Sequence, residues 1–232
     1  MSVLALDELR CGYGEATVIH DLSLAIEQGE ALALLGKNGM GKSTLLKGIM
    51  GLLPRQGGSV IFEGRPLAAE PHMLAARGIA YAPQEKAVFQ DLSVEDNLRV
   101  AVPERRRLRD GLDRVSAYFP FIGQRLRQKA GTLSGGEQKM LILARALMVR
   151  PRLMLVDEIT EGLQPSVIER ISGVLLAERL TSNIAMLIVE QNVAFALKTT
   201  DRFVVLERGE LGERGRADEP DAQARIIREL GI

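Results

Sequence analysis

The sequence predicts an α/β domain with a mixed, mainly parallel sheet, an antiparallel β subdomain and a helical insert. One observation is an apolar run at 31–35 that leads through a glycine-rich turn into a helix-like segment at 43–50. Another is the alternation of buried strands and helices after Pro151, which is typical of parallel strands joined by right-handed crossovers. A third is a series of short strand-like runs, separated by turn residues, in the first third of the chain. These patterns predict a single domain over 1–232.

The same patterns predict the order of the elements. In the first third, strands are expected at 3–9, 18–26, 31–35 and 59–62. From 93 to about 150 the pattern is helical, and Ser93 is a suitable cap for its first helix. After Pro151 the expected order is strand 153–156, helix 166–177, strand 184–189, helix 193–198 and strand 203–206.

This order divides the chain into three parts. The core and its β subdomain take 1–84 and 151–210, and the helical subdomain takes about 85–150. The remaining residues, 211–232, are expected to form a C-terminal tail, with an exposed charged turn from Glu213 followed by a short amphipathic helix.

Composition excludes several classes of protein. Acidic and basic residues balance at 30 each, so nucleic acid is not expected as a partner, because proteins that bind its backbone usually carry a basic excess. The single cysteine, Cys11, excludes an internal disulfide. No secretory signal and no apolar run long enough to span a bilayer is apparent. The chain is therefore expected to stay in the cytosol and to serve a membrane only as a peripheral subunit.

The glycine-rich turn has the pattern of a phosphate-binding loop, two spaced glycines followed by lysine and a hydroxyl residue. Glycines let backbone N–H groups converge on phosphate oxygens, and the following helix adds its positive end. Lys42 is expected to contact the β- and γ-phosphates, and Ser43 to bind Mg²⁺. A turn without a ligand is the alternative, but it would not require lysine and serine there. The expected nucleotide-binding residues of this segment are Gly36, Asn38, Gly39, Gly41, Lys42, Ser43 and Thr44.

A second part of an active site follows the apolar strand at 153–156. Asp157 is expected to hold Mg²⁺, directly or through water, and Glu158 to orient the attacking water or accept its proton. Alone, such a strand could simply end at the surface in two acidic residues. The combination with an upstream phosphate-binding loop favours the catalytic interpretation.

The segment 133–138, Leu-Ser-Gly-Gly-Glu-Gln, precedes a helix-like run. A capped helix start at Ser134 would explain the serine, but not its combination with the other motifs. The segment resembles the signature of ATP-binding cassette (ABC) ATPases, which implies a P-loop NTPase fold of the ABC type. In that family Ser134, Gly135 and Gly136 would face the γ-phosphate held by an opposing subunit, so that ATP lies between two head-to-tail cassettes.

The resemblance covers nearly the whole chain and implies further site residues. Tyr13 matches the aromatic residue that stacks on adenine. Gln84 matches the glutamine that reaches Mg²⁺ and the attacking water, and it begins the segment that touches the membrane subunit. The loop at 161–164 matches the one that crosses the dimer interface. Gln191 occupies the position of a residue that contacts the γ-phosphate and counts with Glu158 and Gln84 as catalytic.

Three positions depart from the family pattern. Ile159 replaces the proline that usually follows the catalytic glutamate, so the backbone there is less restricted and gains an N–H donor. Gln191 replaces a histidine, and its amide can hydrogen-bond but cannot titrate. Gln164 replaces a frequent aspartate in the crossing loop.

The chain looks most like the second ATPase of branched-chain amino acid importers and of their urea and short-chain amide relatives, on the evidence of Gln191 and the segment 160–166. The resemblance implies a subunit that hydrolyses ATP with Mg²⁺ to energise solute import. It implies permease subunits, a second cassette subunit and, indirectly, a solute-binding protein as partners. A heterodimer is expected, with a homodimer as the alternative, at the cytoplasmic face of the inner membrane.

Two other classes of function remain as alternatives. A soluble cassette protein that acts without a permease usually carries two cassettes in one chain or a long coiled-coil insertion, and neither is seen here. A GTPase switch needs an Asn-Lys-x-Asp element to read guanine, and this sequence has none. Import through a permease is therefore the favoured function.

Overall fold

The computed structural model describes residues 2–68, 70–84, 87–102 and 104–231. In chain order the strands are β1 (Ser2–Tyr13), β2 (Ala16–Glu27), β3 (Ala31–Leu35), β4 (Arg55–Phe62), β5 (Arg65–Pro66), β6 (Ile79–Ala82), β7 (Leu153–Asp157), β8 (Ala185–Glu190), β9 (Arg202–Glu207) and β10 (Glu210–Arg216). The helices are α1 (Lys42–Ile49), α2 (Pro71–Leu74), α3 (Val94–Arg99), α4 (Arg105–Tyr118), α5 (Pro120–Gln124), α6 (Gly135–Met148), α7 (Pro165–Ser182), α8 (Val193–Thr199) and α9 (Ala222–Leu230).

The central sheet has six strands in the order β10-β9-β3-β8-β7-β6. All neighbouring pairs are parallel except β10 with β9, so the prediction of a mixed, mainly parallel sheet is confirmed. Both faces are covered: Met154 and Val156 pack in one core with α6 and α7, and Leu153 and Leu155 pack in another with α1 and β1. Burial on both faces explains why these strands are continuous apolar runs.

A separate four-stranded antiparallel sheet, ordered β2-β1-β4-β5, confirms the predicted β subdomain. Its strands are longer than the apolar runs that predicted them. β1 continues through Arg10 to Tyr13, with register shifts on the way, because antiparallel pairing depends on backbone groups and tolerates polar side chains on the exposed face.

The region between β6 and β7 is helical, as predicted. Ser93 caps α3 by accepting a hydrogen bond from the N–H of Asp96 at 3.0 Å. Buried side chains of α3, α4 and α6 share one core with β7 and β8, so the helical region packs directly on the central sheet. Within the described residues, no helix combines the length and apolar character needed to cross a membrane.

The C-terminal region differs from the tail expected at 211–232. Instead of an exposed charged turn from Glu213, strand β10 pairs antiparallel with β9 at the edge of the central sheet. Alternate residues of β10 are exposed, and an edge strand of this kind needs few apolar side chains, so the sequence pattern did not reveal it. The amphipathic helix is present as α9, with Ile226 and Leu230 buried against β3 and β9.

Candidate functional site

The glycine-rich turn joins β3 to α1 at the carboxyl end of the parallel sheet. Gly41 is the N-cap of α1 with a φ of 102°, in the left-handed region that favours glycine, and no side chain caps the helix. Gly39 has a φ of 82°, and a Cβ added there would meet no atom within 4 Å. Since the first N–H groups of a helix lack intrahelical acceptors, the turn offers donors and open space to an anion.

Lys42 is buried at the start of α1 and its ammonium group has three acceptors. It donates to the carbonyl oxygens of Gly36 and Lys37, each at 2.8 Å, and pairs with Glu158 Oε1 at 2.9 Å. Both members of this ion pair are almost inaccessible to solvent, so each compensates the buried charge of the other. A phosphate bound by Lys42 would compete with Glu158 for the same cation.

Asp157 ends β7 beside the first turn of α1. Its Oδ1 accepts a hydrogen bond from Ser43 Oγ at 3.3 Å, and its Oδ2 accepts one from Tyr81 Oη at 3.1 Å. Burial raises the pKa of Asp157, and the hydrogen bonds from Tyr81 and Ser43 oppose that shift. A buried carboxylate beside a hydroxyl supplies the hard oxygen ligands that suit Mg²⁺.

Tyr81 was not among the residues predicted from the sequence. It lies on β6, which the sequence analysis did not predict as a strand, because only four residues form it. Burial, followed by the charge of Asp157, raises the pKa of Tyr81 well above its usual range, so its hydroxyl stays a donor. Its position three residues before Gln84, in an apolar run, is the signal that could have identified it.

Glu158 is buried immediately after β7, with a φ of 41° and its N–H bonded to the carbonyl of Val189 at 2.9 Å. The amide nitrogen of Gln84 donates to Glu158 Oε2 at 2.9 Å and to Glu161 Oε2 at 2.5 Å. Lys139 of α6 donates to the backbone carbonyl of Gln84. The structure therefore brings Gln84 and Glu158 into direct contact, although 74 positions separate them in the chain.

Ile159, one of the three departures from the family pattern, has a structural role in the core. Ile159, which replaces a proline, is completely buried and belongs to the core shared by α6 and α7. Its side chain fills apolar space, while the backbone lacks the restriction that a proline ring would impose.

Gln191 lies beside the phosphate-binding loop. Its amide nitrogen donates to Asn38 Oδ1 at 2.7 Å, across 153 positions of sequence. The contact places the uncharged amide of Gln191, which directly follows β8, next to the glycine-rich turn. The predicted residues Lys42, Ser43, Asp157, Glu158, Gln84, Asn38 and Gln191 are thus linked by direct contacts, in pairs or chains.

Glu190 is a further buried acidic residue that sequence reasoning did not select. Its carboxylate accepts hydrogen bonds from the N–H and hydroxyl of Thr160, at 3.0 and 2.8 Å, and from the N–H of Gln191 at 3.3 Å. Burial raises the pKa of Glu190, while the donors of Thr160, Gln191 and Asn192 oppose the shift. An acidic residue ending an otherwise apolar strand, as Asp157 does, was the available signal.

Tyr13 lies at the end of β1 and is half-exposed, with a relative accessibility of 50%. Its hydroxyl is 3.4 Å from Lys47 Nζ, and the same ammonium lies 5.9 Å from the centre of the ring. An exposed aromatic face of this kind is available for stacking.

Ser134, Gly135 and Gly136 begin helix α6. Ser134 caps the helix, accepting from the N–H of Glu137 at 3.3 Å, while Glu137 Oε2 accepts from the N–H of Ser134 at 3.0 Å. In the described part of the chain, the contacts that link the other predicted site residues do not include these three. Among the residues that the structure describes, this segment therefore has no such contact with the phosphate-binding loop of its own chain.

Comparisons with known proteins agree with this arrangement. Residues 19–161 match the family model described as ABC transporter. The chain is 38% identical to the high-affinity branched-chain amino acid transport ATP-binding protein BraG of Pseudomonas aeruginosa over 212 residues, 90% of this chain and 91% of BraG. It is 37% identical to a probable branched-chain amino acid transport ATP-binding protein, LivF, of Archaeoglobus fulgidus, over 91% of each chain. It is 34% identical to the lipopolysaccharide export ATP-binding protein LptB of Escherichia coli K12, over 93% of this chain and 91% of LptB.

Solved structures agree on the fold. A nucleotide-free ATP-binding cassette from an ABC transporter superimposes with a TM-score of 0.88 at 23% identity, covering 100% of this chain and 99% of the other. An ATP-binding subunit of an ABC transporter superimposes with a TM-score of 0.84 at 26% identity, covering all of both chains. The chain therefore belongs to the ABC transporter family, as an ATP-binding subunit with the ATPase activity that energises transport.

Proposed function

We propose that this chain is the ATP-hydrolysing subunit of an importer for branched-chain amino acids, or for related small solutes such as urea and short-chain amides. The observation that carries the proposal is the contact network in which Lys42, Ser43, Asp157, Glu158 and Gln84 meet at the carboxyl edge of the sheet. The solute class is supported by the names of BraG and LivF, which are more similar to this chain than LptB is.

In the proposed reaction, Glu158 is the group that accepts a proton from the attacking water, and Gln84 orients that water. The backbone of the glycine-rich turn and Lys42 bind the phosphates. Ser43, Asp157 and Gln84 would hold Mg²⁺, which when bound neutralises charge on the phosphate oxygens. Gln191 would hydrogen-bond the γ-phosphate as a neutral amide, close to Asn38.

The second half of the site is proposed to come from another cassette. Ser134, Gly135 and Gly136 form a capped helix start with further anion-binding capacity, and the hydrogen bonds of the cap join Ser134 and Glu137 of the same helix. In a head-to-tail pair, these three residues would face the ATP bound by the opposing cassette. The matching residues of that cassette would face the ATP bound by this chain. A heterodimer with a second, different cassette subunit is proposed, as the resemblance to importers with paired ATPases implies, and a homodimer is the other arrangement.

The proposed location is the cytoplasmic face of the cell membrane, where the subunit would bind permease subunits and depend indirectly on a solute-binding protein. Extraction of the tagged chain from its native membranes with mild detergent tests this. We expect recovery of a polytopic permease, a second cassette and an associated binding protein whose ligand identifies the solute. Recovery from the soluble fraction alone, without a permease, would contradict the transport assignment and leave the ATPase chemistry intact.

Tyr13 should contribute to nucleotide affinity without distinguishing adenine from guanine. Replacing Tyr13 by alanine should weaken binding of ATP and of GTP by about 5- to 30-fold each, because stacking on a base contributes about 1–2 kcal/mol. Replacement by phenylalanine should preserve affinity, since within the described residues the hydroxyl hydrogen-bonds only with Lys47. Fluorescent-nucleotide titration measures both. Strong selectivity for GTP in the parent protein would overturn the adenine-stacking assignment.

A further inference from the structure

Two loops that carry proposed catalytic side chains are joined by one buried carboxylate. Strands β7 and β8 are parallel neighbours, with Asp157 opposite Val189, so the segments that follow them emerge side by side. The first loop carries Glu158, and the second begins with Gln191. Glu190, the last residue of β8, lies between them and is 2% exposed.

The contacts of Glu190 reach both loops. Oε1 accepts from the N–H of Thr160 at 3.0 Å, and Oε2 accepts from the Thr160 hydroxyl at 2.8 Å. Oε2 also accepts from the N–H of Gln191 at 3.3 Å. Both carboxyl oxygens of Glu190 accept hydrogen bonds, and hydrogen bonds are stronger in a low-dielectric interior than in water, so this side chain ties the two backbones together.

The first loop requires such a restraint. Glu158 has a φ of 41°, in the left-handed region that residues other than glycine seldom adopt. The next residue, Ile159, provides no ring to restrict the backbone. Thr160 is the first residue beyond them that has side-chain and backbone bonds to a fixed group, and that group is Glu190.

The second loop depends on the same group. The N–H of Gln191 is bonded to Glu190, while its side-chain amide is bonded to Asn38 of the phosphate-binding loop. Fixing the backbone of Gln191 therefore fixes the direction from which its amide approaches the nucleotide site.

We propose that Glu190 is a positioning residue for ATP hydrolysis. Through its hydrogen bonds to Thr160 and to the backbone of Gln191, it holds Glu158 and Gln191 in the positions from which both reach the same nucleotide. The inference rests on the proposed roles of Glu158 and Gln191. Glu190 contacts neither phosphate nor water in this scheme. Its removal should therefore lower kcat and leave nucleotide affinity unchanged.

The test uses isosteric substitutions at both ends of the contact. Thr160→Val removes the hydroxyl, Thr160→Ser retains it, and Glu190→Gln replaces one of the two acceptor oxygens by an amide donor. Thr199→Val is the matched control. Thr199 is also buried, but among the contacts described its hydroxyl bonds only to the carbonyls of Phe195 and Ala196 within α8.

We expect Thr160→Val and Glu190→Gln to lower kcat by about 10-fold with the KM for ATP within 2-fold, since small misplacements of reacting groups have effects of this size or larger. Thr160→Ser and Thr199→Val should stay within 2-fold of the parent.

A second measurement does not depend on turnover. Hydrogen exchange of the nucleotide-free protein should show faster exchange in Thr160→Val at both 158–162 and 190–193, and at neither segment in Thr199→Val. A kcat within 2-fold of the parent in both Thr160→Val and Glu190→Gln would overturn the proposal, as would an equal loss in Thr199→Val. A fully active Glu158→Gln variant would instead overturn the proposed function. The exchange result would then still decide whether Glu190 joins the two loops.

Discussion

The Glu158→Gln variant is expected to retain ATP binding and to hydrolyse ATP about 10²–10⁴-fold more slowly, the range by which a positioned general base accelerates reactions. Glutamine has nearly the same shape and retains one acceptor oxygen for Gln84 or Lys42, but it cannot accept a proton from water. Steady-state turnover and equilibrium binding of a fluorescent ATP analogue measure the two properties separately.

Glu161→Gln is the matched control for this experiment. Glu161 also accepts a hydrogen bond from Gln84, at 2.5 Å, but its side chain is exposed and does not pair with Lys42 among the described contacts. We expect its turnover to fall by less than about 10-fold, below the general-base range. If Glu158→Gln kept most of its activity, or if both variants lost it equally, Glu158 would not be the general base.

The Lys42→Ala variant should lose ATP affinity by roughly 100-fold, about 3 kcal/mol, because truncating one member of a buried charged contact has effects of this size. The substitution also leaves Glu158 buried without its cation, which should lower the free energy of unfolding by about 3 kcal/mol. Nucleotide titration and denaturant unfolding measure the two effects.

Combining Lys42→Ala with Glu158→Gln separates binding from stability. The double variant has no uncompensated buried carboxylate at this position, so its free energy of unfolding should recover toward that of the parent. ATP affinity should remain low, since the cation proposed to contact the phosphates is still missing. Recovery of ATP binding in the double variant would mean that Lys42 acts on the fold and not on the nucleotide.

The fold could be predicted wherever burial leaves a periodic pattern. Strands β3 and β7 were predicted at or within one residue of their observed bounds, because both faces of each are covered and the runs are wholly apolar. Strand β10 was missed, because it contains only charged residues, glycine and one leucine and is held at the edge by backbone pairing with β9. Helix α7 extends to Ser182, beyond the predicted residue 177, into a polar stretch that gives little periodic signal.

The sequence alone determined the chemistry present in this protein: a phosphate-binding loop, an apolar strand ending in Asp157 and Glu158, and a capped signature helix. These are local patterns, since each needs particular residue types at adjacent positions or at fixed spacing. Only the tertiary structure decided which groups meet. The contacts of Gln84 with Glu158, of Gln191 with Asn38 and of Glu190 with Thr160 join positions 30 to 153 residues apart. Such contacts depend on the order of parallel strands in the sheet, which brings their carboxyl ends to one edge and which no local pattern specifies.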